Sequence, residues 1–488
     1  MRKDTKKASS YRRSSGALGL ILMLSLLLVA CGDAAPTTAP SATVAPAATT
    51  AAAASATTAA AASATTAAAA SATTAAAAAA SATTAAAGSG ATFNPFSGVK
   101  VASNIKGGAW IDTNTKVIKV GQMAPLTGSN APTGTKTALG VEVFFKWLND
   151  NGGIGGYKVE VQTADSQYSP QVAVQQYNKI SANVALFAEI LGTPIVNAIK
   201  DQINTDKIFT LAATGASTFP KEKYMIITPT PYPVGVLNSF DYVVNQTGKK
   251  APKTAIFYQD DTLGQEFLKG YEASVKAYGL QDVGKIPFKI ADKDFTAQAT
   301  ALKNSGAEYV LLGGIPQPCG QLVSTASSIG YNPKYMLTAT SWDKILLESQ
   351  AKDSLTGGIV IYDVIPWAET DKPGMAQLVN AIKKYAPNQA EDNFVTNGWI
   401  DGVVAAHILK NALESGDMTR DGILAAAESV KDADMGQLLP PLTLGSTPDR
   451  HIISRESRIA LIDPTKPSGV TLVTNFFSGE PAKNFSFK

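Results

Sequence analysis

The chain has 488 residues, 45% of them hydrophobic, and its 42 Lys and Arg against 39 Asp and Glu give a net charge of +3. A chain of this length can bury large hydrophobic cores, and its two cysteines exclude a disulfide-rich framework. Beyond residue 13 the sequence has no basic run comparable to a nucleic-acid-binding stripe, so we expect no DNA or RNA partner.

The first thirty residues have the organisation of a secretory signal. Six Lys and Arg between Arg2 and Arg13 precede an apolar run at residues 17–30, which is shorter than the roughly 20 residues that a membrane-spanning helix needs. The run ends in "LVAC", which resembles the lipobox of bacterial lipoproteins. This resemblance implies removal of residues 1–30, diacylation of Cys31 and anchoring at the outer face of the cytoplasmic membrane. Because processing removes six positive charges and one negative charge, the processed chain would carry −2.

A low-complexity segment follows the cysteine. Residues 34–87 are almost entirely Ala, Thr, Ser and Pro, and the tetrapeptide "SATT" recurs four times. Alanine favours helix whereas the Thr pairs oppose it, and the repeated unit has no apolar face that could stack. We interpret residues 31–115 as a lipid-anchored stalk and expect the folded region to start near Lys116.

From Lys116 onward, strand patterns alternate with helical patterns. Leu139, Val143 and Trp147, for example, recur at helical spacing. Such alternation indicates parallel α/β sheets, and about 370 residues exceed what one core usually holds, so we expect two lobes. Strands are predicted at residues 116–124, 157–164, 184–188, 207–211, 253–258, 285–290, 309–313, 335–338 and 358–362, and helices include residues 137–149, 264–278 and 295–305.

Three proline-containing segments mark candidate passages between the lobes: residues 227–235, 362–374 and 438–451. Proline removes a backbone donor and restricts helix, so we interpret these segments as connectors. The predicted fold class is α/β, with two Rossmann-like lobes whose parallel sheets are joined by a three-crossover hinge over a cleft. We expect the N-terminal lobe to comprise residues 116–228 and 366–440, and the C-terminal lobe residues 229–365 and 441–488.

Motifs for catalysis or for cofactor binding are missing from the sequence. "GLQDVGKI" approaches a phosphate-binding loop, but Ile286 stands where that motif requires Ser or Thr. The two histidines, His407 and His451, belong to no metal or hydrolase motif, and the Asp260–Asp261 pair at a strand end is typical of a helix cap. We therefore predict a protein that is not an enzyme and that has no cofactor and no metal site.

Loops after the predicted strands are rich in glycine and small hydroxyl residues. Ligands of open parallel sheets bind outside the carboxyl ends of the strands. Backbone N–H groups and hydroxyls at helix N-termini can bind an anion there without a fixed positive charge. The loops are "APLTGSNA", "ILGTPI", "LAATGAS", "YQDDTLG", "GGIPQP" and "TATSWD".

From Lys116 to about Phe477 the chain resembles type I periplasmic solute-binding proteins of branched-chain amino acid ABC transporters. The resemblance is carried, in order, by "IKVGQMAPLTG", "VFFKWLNDNGGIGGYKVEV", "ILGTP…NAIKDQIN", "LAATGAS", "YQDDTLGQEFLKGYEASVK" and "GQLLPPLTLGSTPDRH". It implies a monomeric Venus-flytrap receptor that closes on a small amino acid-like solute. The implied partners, in trans, are an ABC permease and its ATPase subunits.

The resemblance also assigns roles to residues of the first lobe. Thr193 would bind the ligand's α-carboxylate, the Ala212 carbonyl and Thr214 would bind the α-ammonium and carboxylate, and Leu126 and Thr127 would line the side-chain pocket. For Thr193 a role as an ordinary helix N-cap before Pro194 is the alternative.

In the second lobe the sequence departs from the pattern. Asp261, Ile315 and Trp342 are the candidate ligand-binding residues there, but Leu263 and Ile315 stand where relatives often have aromatic residues. The carboxylate expected to face the ammonium should fall near Thr340, where the sequence offers mainly hydroxyls. A small amide, a urea-like compound or a carboxylic acid is therefore an alternative ligand, and a sensor that reports to a membrane signalling partner is an alternative role.

Overall fold

The computed structural model describes residues 93–367, 369–389 and 391–487. The predicted signal segment, Cys31 and most of the predicted stalk lie outside these residues. Within the described part, no helix combines the length and the apolar character needed to cross a bilayer. The strands are β1 Lys106–Gly107, β2 Ile111–Asp112, β3 Val117–Ala124, β4 Lys158–Asp165, β5 Phe187–Leu191, β6 Thr210–Ala213, β7 Met225–Ile227, β8 Lys253–Gln259, β9 Gln281–Phe288, β10 Tyr309–Gly313, β11 Lys334–Leu337, β12 Ile359–Tyr362, β13 Asp417–Met418, β14 Arg458–Ile462 and β15 Val470–Leu472.

Helices separate most of the strands. They are α1 Ala131–Asp150, α2 Pro170–Ile180, α3 Thr193–Asp206, α4 Tyr232–Asp241, α5 Thr262–Tyr278, α6 Thr296–Ser305, α7 Pro316–Ser328, α8 Lys352–Leu355, α9 Pro373–Tyr385, α10 Asn393–Ser415, α11 Arg420–Glu428 and α12 Glu480–Lys483.

Two separate sheets organise the fold. The first runs β2-β3-β5-β6-β7, with β4 also paired to β3, and is parallel except for the short β2. The second runs β15-β14-β12-β11-β10-β8-β9, and its five strands from β8 to β12 are parallel. Only β14 and β15 are antiparallel there. The predicted α/β fold class with two lobes is confirmed.

Both faces of the second sheet are covered by helices. On one face Leu263, Phe267 and Tyr271 of α5 pack with residues of α4 and with Ile256 of β8. On the other face residues of α6 and α7 pack against the same strands, and Cys319 lies fully buried among them. Burial on both faces explains why the central strands β10 and β12 are continuously apolar in sequence.

The chain passes between the two sheets three times. It leaves β7 for α4 and β8, returns after β12 to α9, α10 and α11, and then supplies β14 and β15 to the second sheet. The core of the first sheet contains Trp399 of α10 and also Leu442, Leu444 and Ile452, which lie beyond the division expected at residue 440. The third passage therefore follows Ile452.

The connector at residues 227–235 is shorter than expected. Only residues 228–231 have no regular structure, since α4 begins at Tyr232 with Pro233 in its first turn. Proline is tolerated in a first helical turn, where the backbone N–H has no partner within the helix.

Strand positions near β5 and β6 differ from the expectation by about three residues. Residues 184–191 are buried throughout, so the apolar pattern does not mark where β5 begins. Lys207 terminates α3 in the left-handed conformation (φ 56°), which delays β6 to Thr210. "GLQDVGKI" forms no phosphate-binding loop, because Gly279 terminates α5 and β9 follows at Gln281.

The folded body begins earlier than the predicted boundary near Lys116. Phe96 is 1% exposed in the core of the first sheet, where its ring centroid lies 6.1 Å from that of Phe144. Strand β1 pairs with β13, and Trp110 lies under the Arg420 guanidinium at 3.9 Å. The expected stalk boundary is therefore wrong for residues 93–115: the low-complexity composition ends before residue 93, and these residues contribute apolar and aromatic side chains to the core.

Candidate ligand-binding cleft

A cavity of about 100 Å³ lies between the two sheets and is walled by both. The first-sheet side contributes residues of α1, α3 and α10, and the second-sheet side contributes residues of α5 and the loops after β10 and β11. The three-pass connection supplies residues 228–230, 232, 363 and 364. The lining side chains include Leu191, Leu263, Phe267, Ile315, Ile361, Phe394, Ile400, Thr338 and Thr340.

Close packing of two helices brings polar side chains of α1 and α10 to the same wall. A Cβ added at Gly398 would lie 1.9 Å from the carbonyl oxygen of Thr137, so only glycine allows this approach. As a result Thr133 and Thr137 of α1 border the cavity together with Asp401 of α10.

Two of the predicted first-lobe residues meet. Thr193 and Thr214 are 2% and 0% exposed, and their hydroxyl oxygens lie 2.7 Å apart. Thr193 lines the cavity. It is the first residue of α3, whereas the N-cap is Gly192 (φ 111°), so the alternative in which Thr193 serves as the N-cap is wrong.

Tyr232 of α4 lies against this hydroxyl pair. Burial raises the pKa of the Tyr232 phenol, and hydrogen bonds with the Gly215 backbone and the Thr214 and Thr193 side chains partly offset that rise. The hydroxyls predicted to bind a carboxylate are thus already hydrogen-bonded to one another and to a tyrosine.

The Ala212 carbonyl is also occupied. It accepts the backbone N–H groups of Thr214 (2.7 Å) and Thr228 (3.1 Å). A carbonyl oxygen has two lone pairs, so both are used within the protein in this conformation. Ala212 lies behind the cavity wall, whereas its neighbour Ala213 lines the cavity.

Leu126 and Thr127 lie beside the cavity and outside its lining. Asp165 holds their loop: it accepts the backbone N–H of Leu126 at 2.9 Å and the hydroxyl of Thr127 at 2.6 Å. Thr127 is exposed, and Leu126 packs on the small cluster that contains Leu191.

The second-lobe candidates have three different positions. Ile315 is 4% exposed and lines the cavity. Asp261 is the N-cap of α5 and accepts the N–H groups of Leu263 (2.9 Å) and Gly264 (3.1 Å), as the pattern of a strand-end cap indicates. Trp342 belongs to the core of the second sheet and borders a separate pocket of about 20 Å³.

Two carboxyl groups that the sequence reasoning missed line the cavity. Asp363 follows β12 and is 6% exposed, and Asp401 of α10 is 2% exposed. Glu189 of β5, fully buried, stands close to Asp401. The sequence signal was weak, because Asp401 sits in an apolar helix and Asp363 in a connector, away from the strand-end loop expected near Thr340.

Burial perturbs all three carboxyls. It raises the pKa of Asp363 to about 6 and that of Glu189 to about 7. For Asp401, burial is the largest cause of a raised pKa, and the negative charges of Glu189 and Asp363 raise it further. Such shifts are typical of groups poised at functional sites.

Tyr168 reaches from the loop after β4 towards the second lobe. Its backbone is in the left-handed region (φ 54°), and its ring packs on Gly192, where an added Cβ would lie 2.8 Å from the ring. Burial raises the pKa of the Tyr168 hydroxyl, the negative charge of Asp261 adds to this rise, and a hydrogen bond with Gln259 opposes it. A strained backbone of this kind is typical of functional positions.

Neither histidine lines the cavity. Buried His407 lies 3.1 Å from the Asp434 carbonyl, and burial lowers its pKa to about 4. Among the described residues, no group of three or more His, Cys, Asp or Glu side chains is arranged to hold a metal ion.

The sequence profile of a family described as "Periplasmic binding protein" matches residues 117–467. Among curated proteins, the chain is 28% identical over 225 residues to an "Amino acid binding protein" of Pseudomonas aeruginosa, a match that covers 45% of this chain and 59% of that protein. It is 24% identical over 341 residues to "Leu/Ile/Val-binding protein homolog 3" of Brucella melitensis, covering 64% of this chain and 83% of that protein.

Solved structures share the fold. A "Fatty acid ABC transporter substrate-binding protein" from Thermomonospora curvata superposes with a TM-score of 0.73 at 28% identity, covering 79% of this chain and 97% of that one. A branched-chain amino acid ABC transporter structure from Thermus thermophilus with bound valine gives a TM-score of 0.68 at 19% identity, covering 76% of this chain and 98% of that one.

Proposed function

Because the chain belongs to the family of periplasmic binding proteins, we propose that it is the substrate-binding component of an ABC importer. In this proposal it captures a small amino acid-like solute of the branched-chain type outside the cytoplasmic membrane and delivers it to a permease driven by separate ATPases. Diacylated Cys31 would anchor it, and the segment that follows would separate the folded body from the membrane.

The observation that carries this proposal is the cavity between the two sheets. Its walls combine apolar side chains, such as Leu263, Phe267 and Ile400, with hydroxyls and with the carboxyls of Asp363 and Asp401. Sites for small molecules typically have this composition. A cavity of about 100 Å³, smaller than the apolar cavity of about 150 Å³ that holds benzene, restricts the ligand to a small solute.

Closure of the two lobes would retain the ligand. Residues on opposite sides of the cleft are in contact: the Ser217 backbone N–H donates to the Glu266 carboxylate at 2.7 Å, and Lys269 donates to the Ser217 hydroxyl at 2.7 Å. A ligand that binds better to this closed arrangement than to an open one shifts the population towards it.

A short carboxylic acid is the second candidate ligand. It is supported by the similarity to the Thermomonospora curvata protein, whose name specifies a fatty acid. The small volume of the cavity restricts this candidate to short chains.

Thermal denaturation of the folded region with single solutes tests the proposal. We expect valine, leucine or isoleucine to stabilise it, by about 2.7 kcal/mol at 100 times the Kd. Binding of isovalerate together with no response to the amino acids would favour the second candidate. If neither class shifts the melting temperature, the proposed ligand class is wrong.

A further inference from the structure

Three carboxyl groups from three different elements converge at one side of the cavity. Glu189 comes from β5, Asp401 from α10 and Asp363 from the connection after β12, and they are 0%, 2% and 6% exposed. Asp363 and Asp401 border the cavity directly. Glu189 lies one side chain behind the wall, where it interacts with the lining residue Thr137.

Among the described residues, no Lys, Arg or His forms an ion pair with any of these carboxyls. Their partners are neutral: Gln122 donates to Glu189 Oε2 at 3.0 Å, Thr228 hydrogen-bonds with Asp401, and the backbone of Thr230 hydrogen-bonds with Asp363. Glu189 Oε1 is buried and has no hydrogen-bond partner within the described part of the chain. Buried carboxylates without a counter-charge are costly, and either a proton or a cation can remove that cost.

We propose that Asp363 and Asp401 form a binding subsite for a cationic group of the ligand, an ammonium or an amidinium, and that Glu189 adjusts the charge of this subsite from behind. The inference rests on the proposed function and specifies which polar group of the solute is recognised. The subsite lies at the connection after β12 and on α10. The family pattern instead places the carboxylate that faces the ligand's ammonium in the loop around Thr340. Thr340 is engaged elsewhere, since its hydroxyl donates to the Gly314 carbonyl at 3.1 Å.

Charge balance supports the assignment. The titratable groups that face Asp363 and Asp401 in the described structure are each other, Glu189 and the phenol of Tyr232. Because burial raises the pKa of each carboxyl, a fraction of them holds protons near neutral pH in the empty cleft. A bound cation favours their ionised forms, so binding should release protons, and affinity should rise with pH between about 5 and 7.5.

Four probes with similar branched skeletons separate the contribution of the ligand's ammonium to binding from that of its carboxylate. They are L-valine, isobutylamine (valine without its carboxylate), isovalerate (valine without its ammonium) and the neutral isovaleramide. We expect calorimetric titration of the wild-type protein at pH 7.5 to show binding of valine and isobutylamine. Isovalerate should bind at least tenfold more weakly than isobutylamine, and isobutylamine should bind more tightly at pH 7.5 than at pH 5.

Two variants, Asp363→Asn and Asp401→Asn, test the residues themselves. Each should weaken isobutylamine binding at least tenfold and reduce the discrimination against isovaleramide. Each should also leave the melting temperature of the ligand-free protein unchanged or higher at pH 7.5, because a buried carboxylate without a counter-charge has been removed. Weaker amine binding together with an unchanged or higher melting temperature distinguishes loss of the subsite from loss of folding.

The matched control is Asp241→Asn, which changes a buried carboxyl outside the cavity that accepts a hydrogen bond from Asn245 at 2.7 Å. It should leave the ratio of amine to acid affinities unchanged. Binding of isovalerate in preference to isobutylamine would overturn the inference while the proposal of a solute-binding function survives. Absence of binding by all four probes would overturn both, and unchanged amine affinity in both Asp variants would overturn the inference alone.

Discussion

Lys136 Nζ lies 2.7 Å from Asp343 Oδ2, an ion pair that joins α1 on the first sheet to the loop after β11 on the second. The same ammonium lies 2.7 Å from Asp392, the N-cap of α10. The two carboxylate side chains are 2% and 8% exposed. Burial lowers the pKa of Lys136, but the two carboxylates outweigh this effect, and its pKa is raised overall. The interaction therefore stabilises the closed arrangement of the cleft.

Lys136→Met should weaken ligand affinity about tenfold or more, mainly through faster dissociation. The substitution leaves two largely buried carboxylates without their shared cation, and opening of the cleft returns Asp343 to water. Stopped-flow dissociation of valine, or of whichever probe binds, measures the effect. Lys146→Met is the control, because Lys146 lies on the same helix in an exposed pair, 3.8 Å from Glu142. Equal dissociation rates in both variants would contradict a role in closure.

Thr193→Val should reduce affinity by about two- to tenfold while lowering stability by about 1 kcal/mol. Valine retains the shape of threonine but removes the hydroxyl that lines the cavity and pairs with Thr214. Calorimetry and urea denaturation give the two quantities separately. Thr205→Val, which removes an exposed hydroxyl bonded to the Asp201 carbonyl, serves as the control. A stability loss without any loss of affinity would assign Thr193 a purely structural role.

Glu189→Gln should change how stability depends on pH. The pKa of Glu189 is about 7 in the folded chain and 4.5 in its ordinary state, so between these values the folded protein holds more protons than the unfolded chain. The stability contributed by this proton is full below about pH 4.5 and is lost as the pH rises to about 7.

Glutamine removes that dependence. The stability of the Glu189→Gln variant relative to wild type should therefore increase from pH 4.5 to 7, by up to about 3 kcal/mol. Urea denaturation at several pH values measures this difference. Glu142→Gln, which changes a more exposed carboxyl of α1, is measured in parallel as the control. A flat profile for Glu189→Gln would mean that its carboxyl titrates normally.

Phe96→Ala should lower the free energy of unfolding by about 3–5 kcal/mol, the usual cost of removing a buried phenylalanine. Its ring packs against Phe144 and lies 4.9 Å from the ring of His407. Lys100→Ala, at an exposed position in the same segment, should have little effect. If both variants were as stable as wild type, residues 93–115 would not belong to the cooperative folding unit.

The sequence predicted the fold better than it predicted the site. The apolar runs of β8 and β10 and the periodic spacing in α5 report burial directly, and their predicted positions agree with the structure to within two residues. The site residues depend on contacts between distant segments, such as Thr193 with Thr214 and Asp401 with Glu189. Local patterns cannot distinguish a hydroxyl that faces a ligand from one already paired within the protein.

Alternation of apolar strands and helices was sufficient to determine an α/β chain with two lobes, because each parallel strand must bury both of its faces. The interpretation of "LVAC" as a lipobox rests on resemblance and stays a prediction, because Cys31 lies outside the described residues. Only the tertiary structure decided which polar groups face the cleft. Asp363 and Asp401 meet there because a connector and a helix some forty residues apart in sequence converge on one cavity. Burial in that cavity raises the pKa of both carboxyls.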